Sequence, residues 1–224
     1  MGLFYLQIAV GGLLAGVMYS LIAVGFVLIY KSSKIFNFAQ GAMVLGAALT
    51  FVSFIEMGVP FWLSLLITTL IMIVFGIAVE RFALRKLANT SLLTLFMATV
   101  GLAFFVEGLA QFVWGGQVHG LELGIEDMPL SVTSGFTVSQ FDLFAAAVAG
   151  GLVIVLAVFF TYTRTGLHLQ AVADNVLASL SVGIPITRMW MIAWATAGVI
   201  AIVAGLMWGA RLGVQYTLSV VALK

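Results

Sequence analysis

The stretch best suited to bind a protein partner runs from Arg164 to Arg188 and reads RTGLHLQAVADNVLASLSVGIPITR. Its apolar residues recur three and four positions apart, which places them along one stripe of a helix. Gly183 and Pro185 follow the stripe and are typical of a helix end. The spacing therefore predicts one amphipathic helix over about residues 167–182. The apolar stripe consists of Leu169, Val172, Ala173, Val176, Leu177 and Leu180.

The polar face of this predicted helix carries no Lys or Arg between Arg164 and Arg188, and Asp174 is its only internal charge. A helix that lies in a lipid surface is usually rich in basic residues on that face. An acidic residue is a poor match for an anionic membrane. The composition therefore favours docking into a groove of a protein partner.

Polar side chains inside the apolar segments are few. Intramembrane ionisable residues often mark ion or proton pathways, and Glu107 is the one such residue in the predicted spans. It either lines an aqueous vestibule or reaches the membrane interface. Asn37 and Gln40 stand at the start of an otherwise apolar helix. They either cap and pack that helix, with Gly41 allowing close contact, or they line a pore in which Phe38 is an apolar gate.

Several kinds of chemistry find no support in the sequence. His119 and His168 both fall in predicted loops, and there is no cysteine, so a metal centre, a proton pump with many buried titratable groups and Ser–His proteolysis are disfavoured. No Gly-rich loop ending in Gly-Lys-Ser/Thr is present, so we expect no ATP binding of that kind and no enzymatic activity. A net charge of +1 gives no indication of nucleic-acid binding. Any uphill transport must draw its energy from a partner.

The elements that must position these residues are membrane helices. The chain of 224 residues is 63% hydrophobic and 8% charged, with a mean hydropathy of +1.24. Continuous apolar runs of about 20 residues are typical of transmembrane helices. An apolar piece at 212–223 is too short to cross. The fold class predicted is an all-α polytopic membrane protein in a single transmembrane domain, residues 1–224, with six spans at about 4–30, 39–55, 61–79, 91–113, 143–163 and 189–210.

The orientation follows from the basic residues, which mark the cytoplasmic side of a membrane. Seven of them fall on one side if the N-terminus is outside and each span crosses once; Arg211 alone falls at the outer end. The connection at 164–188 is then cytoplasmic. The outer loop at about 114–142 is acidic and is either a solvated surface or a docking surface for an external protein. The seven basic residues are Lys31, Lys34, Arg81, Arg85, Lys86, Arg164 and Arg188.

Pairs of glycines four apart also occur in the predicted spans. They are Gly12 with Gly16 and Gly205 with Gly209. Such pairs let helix backbones approach closely in lipid. We expect both pairs to pack within the bundle.

Two regions of the chain are similar to a known family. The run AVADN at 171–175, followed by LAS at 177–179 and GI at 183–184, resembles the cytoplasmic coupling loop of ABC importer permeases. The runs GVMYSL at 16–21, LIY at 28–30, NFAQG at 37–41 and GA at 46–47 resemble the first two helices of the high-affinity branched-chain amino acid permeases. The resemblance covers about residues 8–224. Where the coupling loop of that superfamily has a glutamate, this chain has Leu177, so the contact is expected to be mainly apolar.

The resemblance implies a heteromeric importer of the bacterial inner (plasma) membrane. A second permease subunit would complete the pore, two cytoplasmic ATPases would bind ATP and Mg, and an external solute-binding protein would deliver the solute; this chain itself would hold no cofactor. Family members have about eight spans, so a C-terminal part of the family fold is expected beyond Lys224. The implied ATPase-coupling residues are Val172, Ala173, Asp174, Val176, Leu177, Ala178, Ser179 and Gly183. The implied translocation-pathway residues are Tyr19, Asn37, Phe38, Gln40, Gly41 and Glu107.

Two alternatives remain open. A permease of the same family could carry urea, short amides or other small organic solutes. A stand-alone secondary transporter or channel would need no ATPase subunits.

Overall fold

The computed structural model describes residues 2–87, 90–125, 129–133 and 136–221. Helices form nearly all of this part of the chain. Two short antiparallel strands, β1 (Pro129–Thr133) and β2 (Phe136–Ser139), form a hairpin. The helices are α1 (Gly2–Ser33), α2 (Gln40–Glu56), α3 (Phe61–Ala78), a π-helical turn (Val79–Leu84), α4 (Arg85–Leu87), α5 (Leu92–Trp114), α6 (Gln140–Tyr162), α7 (Arg164–Asp174), α8 (Val176–Ser181), α9 (Ile186–Leu212) and α10 (Thr217–Val221).

The prediction of an all-α polytopic membrane protein is confirmed. Five helical stretches within the described residues are long and apolar enough to cross a membrane: Tyr5–Ser33, Phe61–Leu87, Leu93–Trp114, Gln140–Tyr162 and Ile186–Leu212. The predicted second span corresponds to α2, which has only 17 residues. At 1.5 Å per residue α2 is about 25 Å long, which is shorter than a hydrocarbon core of about 30 Å. Helix α2 begins at Gln40, at the end of a non-helical turn.

Helix α9 is the central helix of the bundle and packs against α1, α2 and α3. Glycines make these approaches possible. A Cβ on Gly198 would lie 2.5 Å from the carbonyl oxygen of Met72, and one on Gly205 would lie 2.7 Å from that of Val44. Gly209 packs against Val214, so the expected packing of the 205/209 pair within the bundle is found.

The other glycine pair behaves differently. A Cβ on Gly12 or on Gly16 would meet nothing within 4 Å. The expectation that this pair packs within the bundle is therefore wrong. The reason is that α1 uses a different face, that of Met18, Leu21, Ile22 and Leu28, to pack on the core. Spacing alone does not say which face of a helix turns inward.

The helices have two chemically distinct ends. At one end Lys31 Nζ lies 5.7 Å from the centre of the Phe160 ring. This contact joins the C-terminal turns of α1 and α6, and we call this end the basic end. At the other end Gln7 donates to Thr137 in β2, Glu56 pairs with His119 at 2.8 Å, and Arg211 pairs with Asp142; we call this the acidic end. The exceptional Arg211 is thus neutralised by a neighbouring carboxylate.

The connection between α5 and α6, predicted as a loop at 114–142, contains the β1–β2 hairpin, which the sequence analysis did not predict. Glu126 and Asp127, two of its acidic residues, lie outside the described residues. After α9, Val214 pairs with His119 through two backbone hydrogen bonds of 3.0 and 2.9 Å. The apolar piece at 212–223 contains α10, which packs on α2 and buries Leu218.

Candidate functional site

The surface predicted to dock a partner is formed by α7 and α8 at the basic end. Thr163 ends α6 and caps α7 by accepting a hydrogen bond from the Gly166 N–H at 3.0 Å. Gln170 Nε2 donates to the Phe160 carbonyl oxygen at 2.9 Å. A Cβ on Gly166 would overlap the backbone of Phe159 and Phe160. These contacts hold α7 flat against the end of α6.

The single amphipathic helix predicted over 167–182 is wrong in one respect, because the helix breaks at Asn175. That residue has an extended backbone (φ −152°, ψ 106°), and its Oδ1 accepts a hydrogen bond from the Ala178 N–H at 3.0 Å. Asn side chains compete for backbone hydrogen bonds and favour helix caps over helix interiors. The prediction missed the break because the apolar spacing continues through it.

The predicted end of the helix at Gly183 is found. Gly183 has a positive φ of 81°, a conformation that glycine adopts without steric cost. The Ile184 N–H bonds to the Ser179 carbonyl, and the Gly183 N–H to that of Leu180, each at 3.0 Å. This pair of bonds is the Schellman motif that terminates many helices.

The break divides the predicted apolar stripe into two surfaces. Leu169, Val172 and Ala173 on α7 are buried against the bundle. On α8, by contrast, Ser179 alone is buried, and the apolar side chains of its other residues face outward. We call the outward set the α8 surface: it consists of Val176, which is 41% exposed, Leu177 (76%), Leu180 (54%) and Val182 (79%). Asp174, Ala178 and Gly183 are also exposed.

The second group of predicted residues lies in residues 34–40, which we call the fold-back turn. Lys34 has a positive φ of 58° and ends α1. The chain then returns along α1. This is shown by the side-chain amide of Gln40, which lies so close to Gly25 of α1 that a Cβ on Gly25 would overlap it. Gly25 precedes Ser33, the last residue of α1, by eight positions, or about 12 Å of helix. Helix α2 therefore begins about two turns inside the end of α1.

The side-chain amides of the fold-back turn are fully buried. Asn37 Nδ2 donates to Gln40 Oε1 at 3.2 Å, and Asn37 Oδ1 accepts from the Ala39 N–H at 3.1 Å. Asn37 thus closes a turn before α2 and does not cap the first turn of the helix. Gln40 Nε2 has no hydrogen-bond partner among the described residues. Gly41 is buried one position further on.

Aromatic rings surround this turn. Phe38 packs edge-to-face on Phe96 of α5, with ring centroids 4.7 Å apart, and on Phe26 of α1, at 6.0 Å. Phe36 lies 5.9 Å from Phe26 and 6.5 Å from Phe38. We call Phe26, Phe36, Phe38 and Phe96 the aromatic cluster. The cluster connects α1, the fold-back turn and α5 near the basic end, and Phe36 and Phe96 also line an adjoining cavity of about 390 Å³.

The other two predicted pathway residues lie elsewhere. Tyr19 is 43% exposed and packs against Trp208 of α9 at 4.8 Å. Glu107 is 8% exposed and lies in the C-terminal half of α5. No hydrogen bond or ion pair joins either side chain to Asn37 or Gln40 among the described residues.

Sequence reasoning missed two further features. Thr99, fully buried on α5, contacts the backbone of the fold-back turn through its hydroxyl. Glu80, 1% exposed, forms a two-pronged ion pair with Arg85 (Nε–Oε1 3.1 Å, Nη2–Oε2 2.6 Å), which the π-helical turn brings onto one side. The sequence signal for the ion pair was two opposite charges five positions apart in an apolar segment. The described residues hold no group of three side chains suited to a metal ion.

At the acidic end a cavity of about 650 Å³ opens beside the hairpin. It is lined by Glu122, Ser139, Asp142 and Arg211 among others. Its lining includes one cation and two carboxylates, of which Asp142 is already paired with Arg211.

Comparison with known proteins gives a consistent result. Residues 8–223 match the family model described as branched-chain amino acid transport system, permease component. The chain is 25% identical to the high-affinity branched-chain amino acid transport system permease protein LivH of Salmonella typhimurium, over an alignment of 230 positions that covers 95% of this chain and 73% of the relative. The corresponding protein BraD of Pseudomonas aeruginosa is 24% identical over 94% of this chain and 72% of its own length.

A relative whose name gives another solute matches a shorter part of the chain. The fructose import permease protein FruG of Bifidobacterium longum is 25% identical over 79% of this chain and 52% of its own length. No solved structure matches the chain.

Proposed function

Because this chain belongs to the family of permease components of branched-chain amino acid transport systems, we propose that it forms part of the membrane pathway of an ATP-driven importer. It is a multi-pass inner-membrane protein with transport permeases as its relatives. The solute we propose is a branched-chain amino acid or a similar small molecule. We propose that partner subunits bind ATP and Mg and catalyse ATP hydrolysis.

The observation that carries the proposal is the α8 surface. Leu177 on α8 and Val182 at its end are each more than three quarters exposed at the basic end. A large exposed apolar patch on a membrane protein outside its spans marks a contact with a partner. The absence of Lys and Arg from 165–187 argues against a lipid surface as that partner. We assign the surface to a cytoplasmic ATPase.

The fold-back turn is our candidate for the translocation gate. Its aromatic cluster connects α1 and α5 beside an apolar cavity of about 390 Å³, and Asn37 and Gln40 supply buried amide groups next to the cluster. A weakly polar passage suits aliphatic solutes because it does not trap them. Tyr19, exposed on α1, and Glu107, buried on α5, make no hydrogen bond to these amides among the described residues. A role for them in the pathway rests on the contribution of a second permease subunit.

The proposed assembly has a second permease subunit, two ATPases and an external solute-binding protein. The basic end faces the cytoplasm, since basic residues concentrate on that side of membranes. The N-terminus, the hairpin and the 650 Å³ cavity then face outside, where the binding protein docks.

Purification of the tagged chain from its native membrane tests the assembly. The proposal expects two ATPase chains and a second permease to co-purify, and expects ATP hydrolysis to rise when binding protein and leucine, isoleucine or valine are added. A chain that purifies without ATPases and conducts solute alone is the stand-alone transporter or channel, and overturns the proposal.

The solute has a second candidate class. A fructose import permease is 25% identical to this chain over a shorter part of its length than the amino acid permeases are, so a solute of another class is the second candidate. The solute panel in the same experiment should therefore include urea, short amides and a ketohexose. Stimulation by one of these alone assigns the chain to another small solute.

A further inference from the structure

Thr99 occupies an unusual position for a threonine in a membrane helix. The hydroxyls of Thr69 and Thr196, in other spans, bond to the carbonyl four positions back on their own helix, those of Leu65 and Ile192. The Thr99 hydroxyl also reaches the fold-back turn, more than 60 positions away in sequence. It is therefore the hydrogen-bonding link between α5 and the segment that carries Phe36 and Phe38.

The geometry of this link is specific. Thr99 Oγ1 accepts a hydrogen bond from the Phe38 N–H at 3.3 Å. It lies 3.0 Å from the Phe36 carbonyl oxygen and 2.9 Å from that of Phe96 on its own helix. A hydroxyl has one proton, so it donates to only one of these two acceptors at a time. The three residues it contacts through their backbones are three of the four members of the aromatic cluster.

Gln40, another buried side chain of the fold-back turn, has an incomplete set of hydrogen bonds in the described part of the chain. Gln40 is fully buried, yet its Nε2 has no partner among the described residues. An unsatisfied buried donor is unfavourable, so the closed arrangement of the turn holds a group that would gain a partner on opening. The closed state depends correspondingly more on the bonds that Thr99 makes.

We propose that Thr99 is the positioning residue of the gate and that its hydroxyl is a two-position latch. In the closed arrangement the proton goes to the Phe36 carbonyl and the oxygen accepts from Phe38. When the turn moves away, the proton goes to the Phe96 carbonyl on α5, so the hydroxyl stays satisfied in both states. The released backbone groups of Phe36 and Phe38 meet water or solute. This inference rests on the proposed role of the fold-back turn as a gate.

The test compares Thr99→Val, which keeps the shape and removes the hydroxyl, with Thr99→Ser, which keeps the hydroxyl. Thr69→Val is the matched control, because its hydroxyl bonds only within α3. Each change is made in a chain that also carries Ala42→Cys, a small buried position on α2 just beyond the turn, and the natural chain has no cysteine. The variants are studied in native membranes with their partner subunits. The readout is the rate at which the thiol introduced by Ala42→Cys reacts with a small water-soluble thiol reagent.

Loss of one hydrogen bond of about 1.4 kcal/mol changes an opening equilibrium about tenfold. We expect Thr99→Val to raise the labelling rate of the introduced thiol about tenfold, with Thr99→Ser and Thr69→Val close to the rate of the chain that carries Ala42→Cys alone. Equal rates in all four chains would overturn the latch. Equal increases in both valine variants would show a general loosening of the helices and would overturn it as well.

A folding defect is distinguished by a second variant. If Thr99→Val and Thr99→Ala both fail to accumulate in the membrane while Thr99→Ser accumulates, the hydroxyl holds the fold and not the gate, and the latch is wrong. The labelling measurement needs neither solute nor ATP hydrolysis. Its outcome is thus separate from that of the proposed function, which fails if the unmodified assembly moves no solute.

Discussion

Asn175 Oδ1 accepts a hydrogen bond from the backbone N–H of Ala178 at 3.0 Å, and this one side chain separates α7 from α8. On the α7 side Val172 is buried against the bundle, whereas on the α8 side Leu177 points away from it. Without the break, the whole apolar stripe would be buried against the bundle. The break leaves the second half of the stripe exposed, as a surface open to a partner. The α8 surface depends on the break for its direction.

Removal of the cap should weaken partner binding without touching the contact itself. Asn175→Ala loses a helix cap, which is worth about 1 kcal/mol, or roughly a fivefold change in an equilibrium. We expect the affinity of the permease for its ATPase to fall by about that factor, measured by titrating purified ATPase into the permease in detergent. Asn175→Ser, which keeps a capping oxygen, should bind nearly normally. Equal affinities for all three chains would show that the cap does not orient the docking surface.

A charge on the α8 surface should have a larger effect. Leu177→Asp would bury an unpaired carboxylate in the proposed contact, at a cost of several kcal/mol. We expect the ATPases to be lost on purification while the permease still inserts in the membrane, as judged by its yield. Leu212→Asp is the matched control, since Leu212 is 44% exposed at the acidic end and should retain the ATPases. Normal ATPase recovery with Leu177→Asp would place the docking surface elsewhere.

The sidedness of the two ends can be measured by labelling. The natural chain has no cysteine, so single cysteines report without background. A membrane-impermeant thiol reagent applied to intact cells should label Glu122→Cys at the acidic end and spare Thr90→Cys at the basic end; both positions are exposed. Opening the cells should make Thr90→Cys reactive. Labelling of Thr90→Cys in intact cells, with Glu122→Cys protected, would invert the orientation.

The ion pair between Arg211 and Asp142 explains a basic residue at the acidic end. Exposed pairs contribute about 0.2–1 kcal/mol to the free energy of unfolding. A value near the upper limit is expected here because the Asp142 side chain is only 14% exposed. A double-mutant cycle with Asp142→Ala and Arg211→Ala, followed by thermal unfolding in detergent, should reveal a coupling of that size. Strictly additive effects would mean that the two charges do not stabilise the fold together.

The sequence allowed the helices and the two ends of the bundle to be predicted, because hydropathy and the segregation of Lys and Arg are properties of whole segments. It did not allow the break at Asn175 to be predicted, since the apolar period runs through that residue unchanged. The contacts of Thr99 with the fold-back turn could not be predicted either. A threonine in an apolar helix looks the same in sequence whether it bonds to its own helix, as Thr69 does, or to another segment.

Only some of the predicted pathway residues lie together in the structure, for a related reason. Asn37, Phe38 and Gln40 lie close together in sequence, and the structure places them in one turn. Tyr19 and Glu107 were drawn from other helices, and their relation to that turn depends on tertiary packing that no local pattern encodes. The β1–β2 hairpin, by contrast, had a signal in the sequence, because apolar and polar residues alternate through 130–133 and 136–139, which is typical of strands.

The most direct test of the central claim is uptake by the purified assembly in lipid vesicles. Vesicles are prepared with ATP on the side of the ATPases and with binding protein and labelled leucine, isoleucine or valine on the other side. The account predicts accumulation of a branched-chain amino acid that requires ATP and the binding protein and is abolished when Leu177→Asp replaces the natural chain. Accumulation that proceeds equally without ATP, or that is unchanged by Leu177→Asp, would contradict it.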